Sequence, residues 1–293
     1  MNGPIAQIVA LTCHGNAFLA GHKVNAFFPN HSTCTFCDRV NFVVVEKPRS
    51  GSFGGPEVAS TPDQWFPWLK STGARGIRLW LTPQNDPHIP DRMSAGFVGG
   101  GGTWAMEVLG PKNRSEYWVA RWEVWNRNAL QRRIWRVTYG RVYAGVTPAL
   151  KPPNLDGIVA RLTQALREIH AFAEQHKCGG FTQCFANALD TLDSKGEHLH
   201  GYHKDLAPDG ILSDEAIAIL HACQSSWVFG GMGSWNDIIF DGDDHREYER
   251  VSEQLFQAVN EAIMAGANSS YYQLVPAAPA PLSLTWRGAG GEV

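Results

Sequence analysis

Hydrophobic positions follow different periods in the two halves of this 293-residue chain. Up to about residue 150, short runs of β-branched and aromatic residues alternate with clusters of glycine, proline and asparagine, a pattern typical of strands joined by turns. One helix over about 62–71 interrupts these runs, because Thr61 and Pro62 supply an N-cap and a first helical residue. The predicted strands cover residues 5–12, 41–45, 77–81, 103–109, 116–125 and 133–143.

Beyond Lys151-Pro152-Pro153 the apolar period changes from two to about 3.6, which predicts helices. Ser213 is a suitable N-cap for one of them. The predicted helices cover about 155–177, a segment after Gly179-Gly180, 213–226 and 244–267. We therefore expect an α+β fold, with a mainly antiparallel sheet in the N-terminal half followed by a helical layer or bundle. The expected regions are a β-rich part over 1–150, a helical part over 151–275 and a Pro/Gly-rich tail over 276–293.

The net charge of −3 conceals an uneven distribution of charged residues. Lys and Arg outnumber Asp and Glu by 16 to 9 in residues 1–150, whereas Asp and Glu outnumber Lys and Arg by 19 to 9 in residues 151–293. A basic half can face an anionic partner, and two oppositely charged halves can also attract each other across an internal interface. Neither half has a long run of one sign, which favours the internal interface.

Composition narrows the class of protein. No apolar run reaches the roughly 18 residues that a membrane span requires, and the N-terminus lacks the basic start and cleavage site of a signal peptide. We therefore expect a soluble, cytoplasmic chain with no membrane partner. Six cysteines are too few for a disulfide scaffold, so reduced thiols are expected and a clustered pair is a candidate metal site.

Cys34 and Cys37 form the only Cys-x2-Cys pair in the sequence, and His31 lies three residues before them. Both thiolates of such a turn can reach one tetrahedral zinc ion, with His31, His14 or Cys13 as a further ligand. A zinc ribbon normally has a second pair of this kind, which the sequence lacks. A structural zinc site therefore competes with a simpler interpretation, in which the two cysteines are small buried residues in a turn.

Three histidines, His198, His200 and His203, lie within six residues of one another. With Asp190 or Asp193 they would hold a divalent ion that activates water, which is the basis of a metal-dependent hydrolase. The cluster lacks the His-Glu-x-x-His spacing of zinc proteases. The competing interpretation is a solvated loop between two helices. No cofactor other than zinc is indicated.

Residues 114–143 contain seven arginines and seven Trp or Tyr residues but only two acids. This mixture is typical of platforms that bind single-stranded nucleic acid, where bases stack on aromatic rings and arginines pair with phosphates. Alternation along 117–125 nonetheless places Trp118 and Trp122 on one apolar face, so much of the aromatic content is expected in the core. Arg132 and Arg133 are the expected exposed contacts of a nucleic-acid partner.

The segment 227–244 reads WVFGGMGSWNDIIFDGDD and concentrates glycines, tryptophans and aspartates between two predicted helices. Turn and cap chemistry explains its glycines and aspartates. Its Gly-Gly-Met-Gly-Ser-Trp-Asn-Asp motif resembles small uncharacterised bacterial proteins whose core reads Gly-Gly-Met-Gly-Ser-Phe-Asn-Asp, over about residues 212–270. The resemblance implies an accessory or immunity-type role, with Asn236 and Asp237 bonding the backbone of a glycine turn.

These patterns favour binding over catalysis. The first hypothesis is a bacterial accessory or protective protein that binds an unknown protein partner through Met232, Trp235, Asn236 and Asp237. No catalytic residue is assigned. The hydrolase and the single-stranded nucleic-acid platform stay open as alternatives.

Overall fold

A helix enclosed on all sides occupies the interior of the computed structural model, which describes residues 1–45, 53–84, 86, 88–97, 100–146 and 151–274. This helix, α1 (Gly3–Leu19), buries every residue from 5 to 17. The strand predicted over 5–12 is therefore wrong. An enclosed helix needs no polar stripe, so the 3.6-residue period of a surface helix is missing. Its start is marked by Pro4 and by Asn2, whose side chain accepts a hydrogen bond from the Ile5 amide at 3.1 Å.

The other five predicted strands are present in one six-stranded sheet, together with a short strand, β2, that was not predicted. The strands are β1 (Cys37–Val44), β2 (Glu57–Ala59), β3 (Gly76–Thr82), β4 (Thr103–Leu109), β5 (Arg114–Val124) and β6 (Trp135–Val146). Their order across the sheet is β2-β1-β6-β5-β4-β3. Neighbours are antiparallel except β1 and β6, which run parallel, so the sheet is mixed. The predicted α+β class, with the sheet in the N-terminal half followed by helices, is confirmed.

Six further helices follow α1 in the described part of the chain. They are α2 (Pro62–Ser71), α3 (Asp91–Ser94), α4 (Leu155–Gln175), α5 (Gly180–Asp193), α6 (Asp214–Ser225) and α7 (Gly242–Leu274). Ser213 caps α6 as predicted, whereas Thr61 makes no side-chain cap bond to α2. The predicted tail over 276–293 lies outside the described residues. None of the described helices has both the length and the apolar character needed to cross a membrane.

The apolar face of the sheet packs against the helices through an aromatic cluster. Phe42 on β1 stacks on Trp65 of α2, with ring centroids 4.3 Å apart, and on Tyr139 of β6 at 5.3 Å. Trp118 of β5 is fully buried beside them, as the alternation along this strand predicts. The same hydrophobic core continues through α4 to α7. All the described strands lie before the boundary at 151–153, together with α1 to α3, and the described part beyond it is helical, while both halves contribute to one core.

Two asparagine side chains satisfy the backbone of β3, the strand at one end of the sheet. Asn16 on α1 accepts a hydrogen bond from the Ile77 amide at 2.7 Å and donates to the Ile77 carbonyl at 2.9 Å. Asn268 on α7 does the same for the amide and carbonyl of Leu79, at 2.5 and 3.0 Å. The two side-chain amides therefore take the place of a neighbouring strand, and they pair backbone groups that the helices cover.

Replacing Asn16 with alanine is expected to destabilise the fold. The side chain also donates to the Ser270 hydroxyl at 2.8 Å, so the variant leaves several buried polar groups unpaired. Each such group costs about 1–3 kcal/mol, and we expect urea denaturation to show a loss of about 2–4 kcal/mol in the free energy of unfolding.

The matched control for this prediction is Asn187→Ala on α5, whose amide oxygen bonds to Gln183 at the surface. We expect its free energy of unfolding to lie within about 0.5 kcal/mol of the wild-type value. An N16A variant as stable as this control would contradict the role assigned to Asn16.

Candidate functional site

Two adjoining cavities open at the N-terminal end of α1 and together form a cleft. Each has a volume of about 390 Å³. We call them the sheet cavity, which lies against β4 and β5, and the histidine cavity, which is lined by Ser32 and His203. The wall common to both consists of Asn2, Pro4, Ala95, Phe97 and Trp122. These shared residues place the two cavities side by side.

The sheet cavity lies where β4 and β5 separate. The pairing of these strands ends at Ala105 and Val119, whereas β4 continues to Thr103 alongside β3. Trp104 and residues 119–122 of β5 border the gap that results. The cavity therefore follows from the register of the sheet and does not depend on one loop.

A glycine loop, Gly100-Gly101-Gly102, closes the sheet cavity on another side. Gly101 has a φ of +76°, and a Cβ atom built there would lie 2.8 Å from the Cβ of Ala95. Both the left-handed backbone and the close approach favour glycine at this position. The loop thus lies against the segment that carries Ala95 and Phe97.

Three exposed aromatic side chains line the histidine cavity. Phe36 is 45% exposed, Phe97 is 72% exposed and Tyr202 is 73% exposed. Trp122 and Trp135 line the same cavity and are half-buried. Aromatic side chains of this size are mostly buried in folded proteins, and their exposure around a concave surface is typical of a binding site.

Ser32 and His203 supply polar groups to the histidine cavity, and Asp205 lies beside them. The Ser32 hydroxyl lies 2.7 Å from Nδ1 of His203 and donates to one carboxylate oxygen of Asp205. The Ser32 amide donates to the other carboxylate oxygen at 2.8 Å. Burial lowers the pKa of His203, so its ring is neutral near pH 7. Burial alone would raise the pKa of Asp205, but the two hydrogen bonds from Ser32 outweigh it and the net shift is downward.

This trio differs from the catalytic triad of serine hydrolases. In such a triad the histidine lies between serine and aspartate, and the carboxylate bonds the histidine nitrogen that faces away from the serine. Here the serine lies between the other two side chains, because Asp205 bonds Ser32 directly. The arrangement therefore fixes the orientation of the His203 ring without preparing Ser32 as a nucleophile.

The segment that contains His203 and Asp205 is anchored from three elements. The backbone carbonyl of Asp205 lies 3.1 Å from Nε2 of His14 on α1 and 2.7 Å from Nε2 of His31, which precedes the 3-10 helix Ser32–Cys34. On α6, Gln224 accepts from the His203 amide at 2.9 Å and donates to its carbonyl at 3.0 Å. These bonds set the position of the polar groups in the cleft.

The predicted zinc ligands His31, Cys34 and Cys37 are occupied by other contacts. His31 accepts from the Thr33 amide at Nδ1 and bonds the Asp205 carbonyl through Nε2. Burial raises the pKa of the Cys34 thiol far above its usual range and that of Cys37 to about 11. Both thiols are therefore protonated in the metal-free chain. The geometry agrees with the alternative interpretation, a pair of small buried residues in a turn.

The three clustered histidines divide between two places. His198 and His200 lie on the surface, 3.2 and 2.8 Å from the carboxylate of Asp190. His203 instead lies in the cleft beside Ser32. Within the described residues, no group of three His, Cys, Asp or Glu side chains is arranged to hold a metal ion. The ligand set of the hydrolase hypothesis is therefore not assembled.

The glycine motif at 227–244 holds one wall of the cleft. A Cβ atom on Gly96 would lie 2.2 Å from the carbonyl carbon of Gly230, so the two backbones touch directly. Asn236 donates to the Arg92 carbonyl at 2.9 Å and accepts from the Arg92 guanidinium at 3.2 Å. The motif thereby fixes α3 and the segment that follows it, including Phe97.

Trp235 is not available to a partner, which corrects its assignment as a partner-binding residue. Its side chain is fully buried, and its indole N–H donates to Ser252 at 2.7 Å. Asp237 bonds the amide of Gly233 within its own turn. Asn236 is committed to Arg92, so Met232 is the member of the predicted set that is fully exposed. The glycines and the buried Trp235 thus form a structural turn between α6 and α7.

The buried guanidinium of Arg92 also links the basic and acidic halves. It lies 2.5 Å from the carboxylate of Glu249 on α7 and its carbon lies 5.6 Å from the centre of the Tyr248 ring. This ion pair fits the expectation that the two halves attract each other across an internal interface.

The aromatic and basic stretch at 114–143 is largely engaged within the fold. Three of its arginines pair with carboxylates, and one of these, Arg136, stacks on Trp125 at 3.2 Å. Trp118 lies in the core and Trp122 in the cleft wall. Arg132 is exposed and Arg133 is half-buried. The rings therefore do not present one open face for stacking bases.

Comparison with protein-family models, with curated proteins and with solved structures finds no match to this chain. Sequence patterns singled out His31 and His203 as metal ligands, and they missed Ser32, Asp205 and Gln224. Ser32 and His203 are 171 residues apart, so no local spacing signals their contact.

Replacing Gly96 with alanine is expected to displace the cleft wall, because the new methyl group would overlap the backbone of Gly230. Overpacking of this kind costs about 1–3 kcal/mol, measured as the free energy of unfolding in urea. The control is Gly180→Ala at the start of α5, where no atom lies within 4 Å of the added carbon. Equal stability of the two variants would show that the contact between Gly96 and Gly230 is not tight.

Stability is expected to fall as the pH drops from 7 to 5.5. Burial lowers the pKa of His14 and of His221 to about 4, below the roughly 6.5 of an unfolded histidine. Their neutral forms stabilise the fold fully above pH 6.5, and that stability is lost progressively as the pH falls towards 4, because the unfolded chain binds more protons. The urea midpoint at several pH values measures this, and His14→Gln should flatten the dependence. A midpoint that is constant over this range would contradict the assignment.

Proposed function

We propose that the protein acts by binding a small, neutral, largely apolar molecule in the cleft. The observation that supports this most directly is the set of three exposed aromatic side chains, Phe36, Phe97 and Tyr202, around a cavity that also contains polar groups with fixed positions. Ligand sites combine an apolar lining with a few well-placed hydrogen-bonding groups. Ser32 and His203 supply such groups here.

The size of the cleft fits a ligand with one or two rings in each cavity. Each cavity measures about 390 Å³, near the lower end of the roughly 300–1,000 Å³ that is typical of small-molecule sites. Tryptophans in both cavities, Trp104, Trp122 and Trp135, offer broad flat surfaces. A flat ring system makes the largest contact with such walls.

The charge of the cleft favours a neutral ligand. Arg121 is the charged side chain among the residues that line the two cavities, and its guanidinium pairs with Glu123 at 2.9 Å. His203 is kept neutral by burial, which lowers its pKa. A charged ligand would lose its hydration without gaining an unpaired counter-ion.

The earlier hypotheses differ in how much geometry supports them. An accessory or immunity-type protein that binds a protein partner stays a prediction, with Met232 as its exposed contact. A hydrolase that uses His198, His200 and His203 has its proposed ligands in two separate places. For single-stranded nucleic acid, three of the seven arginines in 114–143 pair with carboxylates, while Arg132 is exposed.

The proposed function predicts that one- and two-ring neutral aromatic compounds bind and raise the melting temperature in proportion to ligand concentration. Phe97→Ala and Tyr202→Ala each remove an exposed ring that supports no core contact. Interface aromatics contribute strongly to binding, so each variant should weaken affinity by about tenfold at unchanged stability without ligand. Tryptophan fluorescence titration gives the dissociation constants.

Leu130→Ala and Met232→Ala are the matched controls, because both side chains are highly exposed and neither lines the cleft. They should bind the same compounds as tightly as the wild-type protein. Loss of binding in Met232→Ala with none in Phe97→Ala would move the site to the glycine motif and contradict the proposal. A complete absence of binding across the compound set would also contradict the proposal.

A further inference from the structure

The hydrogen bonds around Ser32 determine which nitrogen of His203 carries the proton. A serine hydroxyl has one hydrogen to donate, and Ser32 donates it to the Asp205 carboxylate. The carboxylate is charged, because its pKa is shifted downward, and a charged acceptor forms the stronger hydrogen bond. The oxygen of Ser32 therefore accepts the remaining contact, 2.7 Å away, from Nδ1–H of His203. The neutral ring then has no hydrogen on Nε2.

Nε2 of His203 is left without a partner in the protein. The described residues make no hydrogen bond to this atom, and it is not among the enclosed polar atoms that lack partners. The side chain lines the histidine cavity, beside Tyr202 and opposite the aromatic wall. Nε2 is thus an acceptor that no protein group satisfies and that water or an occupant of the cleft can reach.

The ring is also held in place by atoms outside the cleft. Gln224 bonds both the amide and the carbonyl of His203, at 2.9 and 3.0 Å. Asp205, two residues later, is anchored through its backbone carbonyl by His14 and His31. A ring whose orientation and tautomer are fixed in advance loses little entropy when it binds a ligand.

We propose that Nε2 of His203 is the acceptor that recognises a hydroxyl or N–H group on the ligand. The inference rests on the proposed function and specifies the ligand further, as a neutral ring compound with a hydrogen-bond donor, such as a phenol. Ser32 and Asp205 act as positioning residues, because they set the tautomer of His203 and do not touch the ligand's ring system. An ether of the same shape lacks the donor and leaves Nε2 unpaired.

The tautomer can be measured without any ligand. Nitrogen NMR of the histidine side chains should show His203 protonated on Nδ1 in the wild-type protein near pH 7. Ser32→Ala removes the oxygen that accepts this proton, so the ring should change to the Nε2–H form. Ser32→Thr keeps the hydroxyl and should keep the tautomer, and Ser60→Ala, at a surface hydroxyl outside the cleft, should have no effect.

Binding is tested with two probes of nearly the same shape, 4-ethylphenol and 4-ethylanisole. The phenol carries a donor, and a hydrogen bond lost at an acceptor that the bound ligand covers corresponds to about tenfold in affinity. We expect tryptophan fluorescence to show about tenfold tighter binding of the phenol to the wild-type protein and to Ser32→Thr. In Ser32→Ala the preference should disappear, because Nε2–H can donate to the oxygen of either probe.

Two results would overturn the inference. One is an Nε2–H tautomer of His203 in the wild-type protein, a measurement that does not depend on the folding of any variant. The other is equal affinity for the two probes, in which case the cleft binds rings and the proposed function stands without the donor. If neither probe binds, the proposed function and the inference both fail.

Discussion

The burial of α1 is the constraint on which the rest of the structure depends. Its residues from 5 to 17 are all buried. The polar side chains along it must therefore form their hydrogen bonds with other groups inside the protein. Asn16 bonds the backbone of β3, and Gln7 bonds the Thr33 carbonyl and the Tyr139 hydroxyl. His14 bonds the carbonyl of Asp205. One helix therefore connects the end strand of the sheet, the turn that carries Ser32 and the loop that carries His203.

The cleft is a consequence of this arrangement. It lies at the N-terminal end of α1, where the helix begins and β4 and β5 separate. The glycine motif at 227–244 fixes the remaining wall through the contact of Gly230 with Gly96 and the two hydrogen bonds of Asn236 with Arg92. The glycine motif, which is conspicuous in the sequence, thus contributes to the cleft indirectly, because it positions the segment that contains Phe97.

Local sequence signals predicted elements well and long-range contacts poorly. Residues 103–109 and 62–71 have the predicted bounds because strand alternation and the proline at the first helical position act over a few residues. The error over 5–12 arose because an enclosed helix has no polar stripe. Histidines at 31 and 203 were recognised as chemically active positions, but their partners come from distant parts of the chain. Trp235 was misjudged because exposure depends on tertiary packing.

The central claim is that the cleft at the end of α1 is the binding site. A crystal structure of the protein with a neutral aromatic ligand tests it most directly. We expect the ligand ring beside Trp122, with its polar group within hydrogen-bonding distance of Nε2 of His203. A ligand seated beside Met232, or an empty cleft in a protein that demonstrably binds the compound in solution, would contradict it.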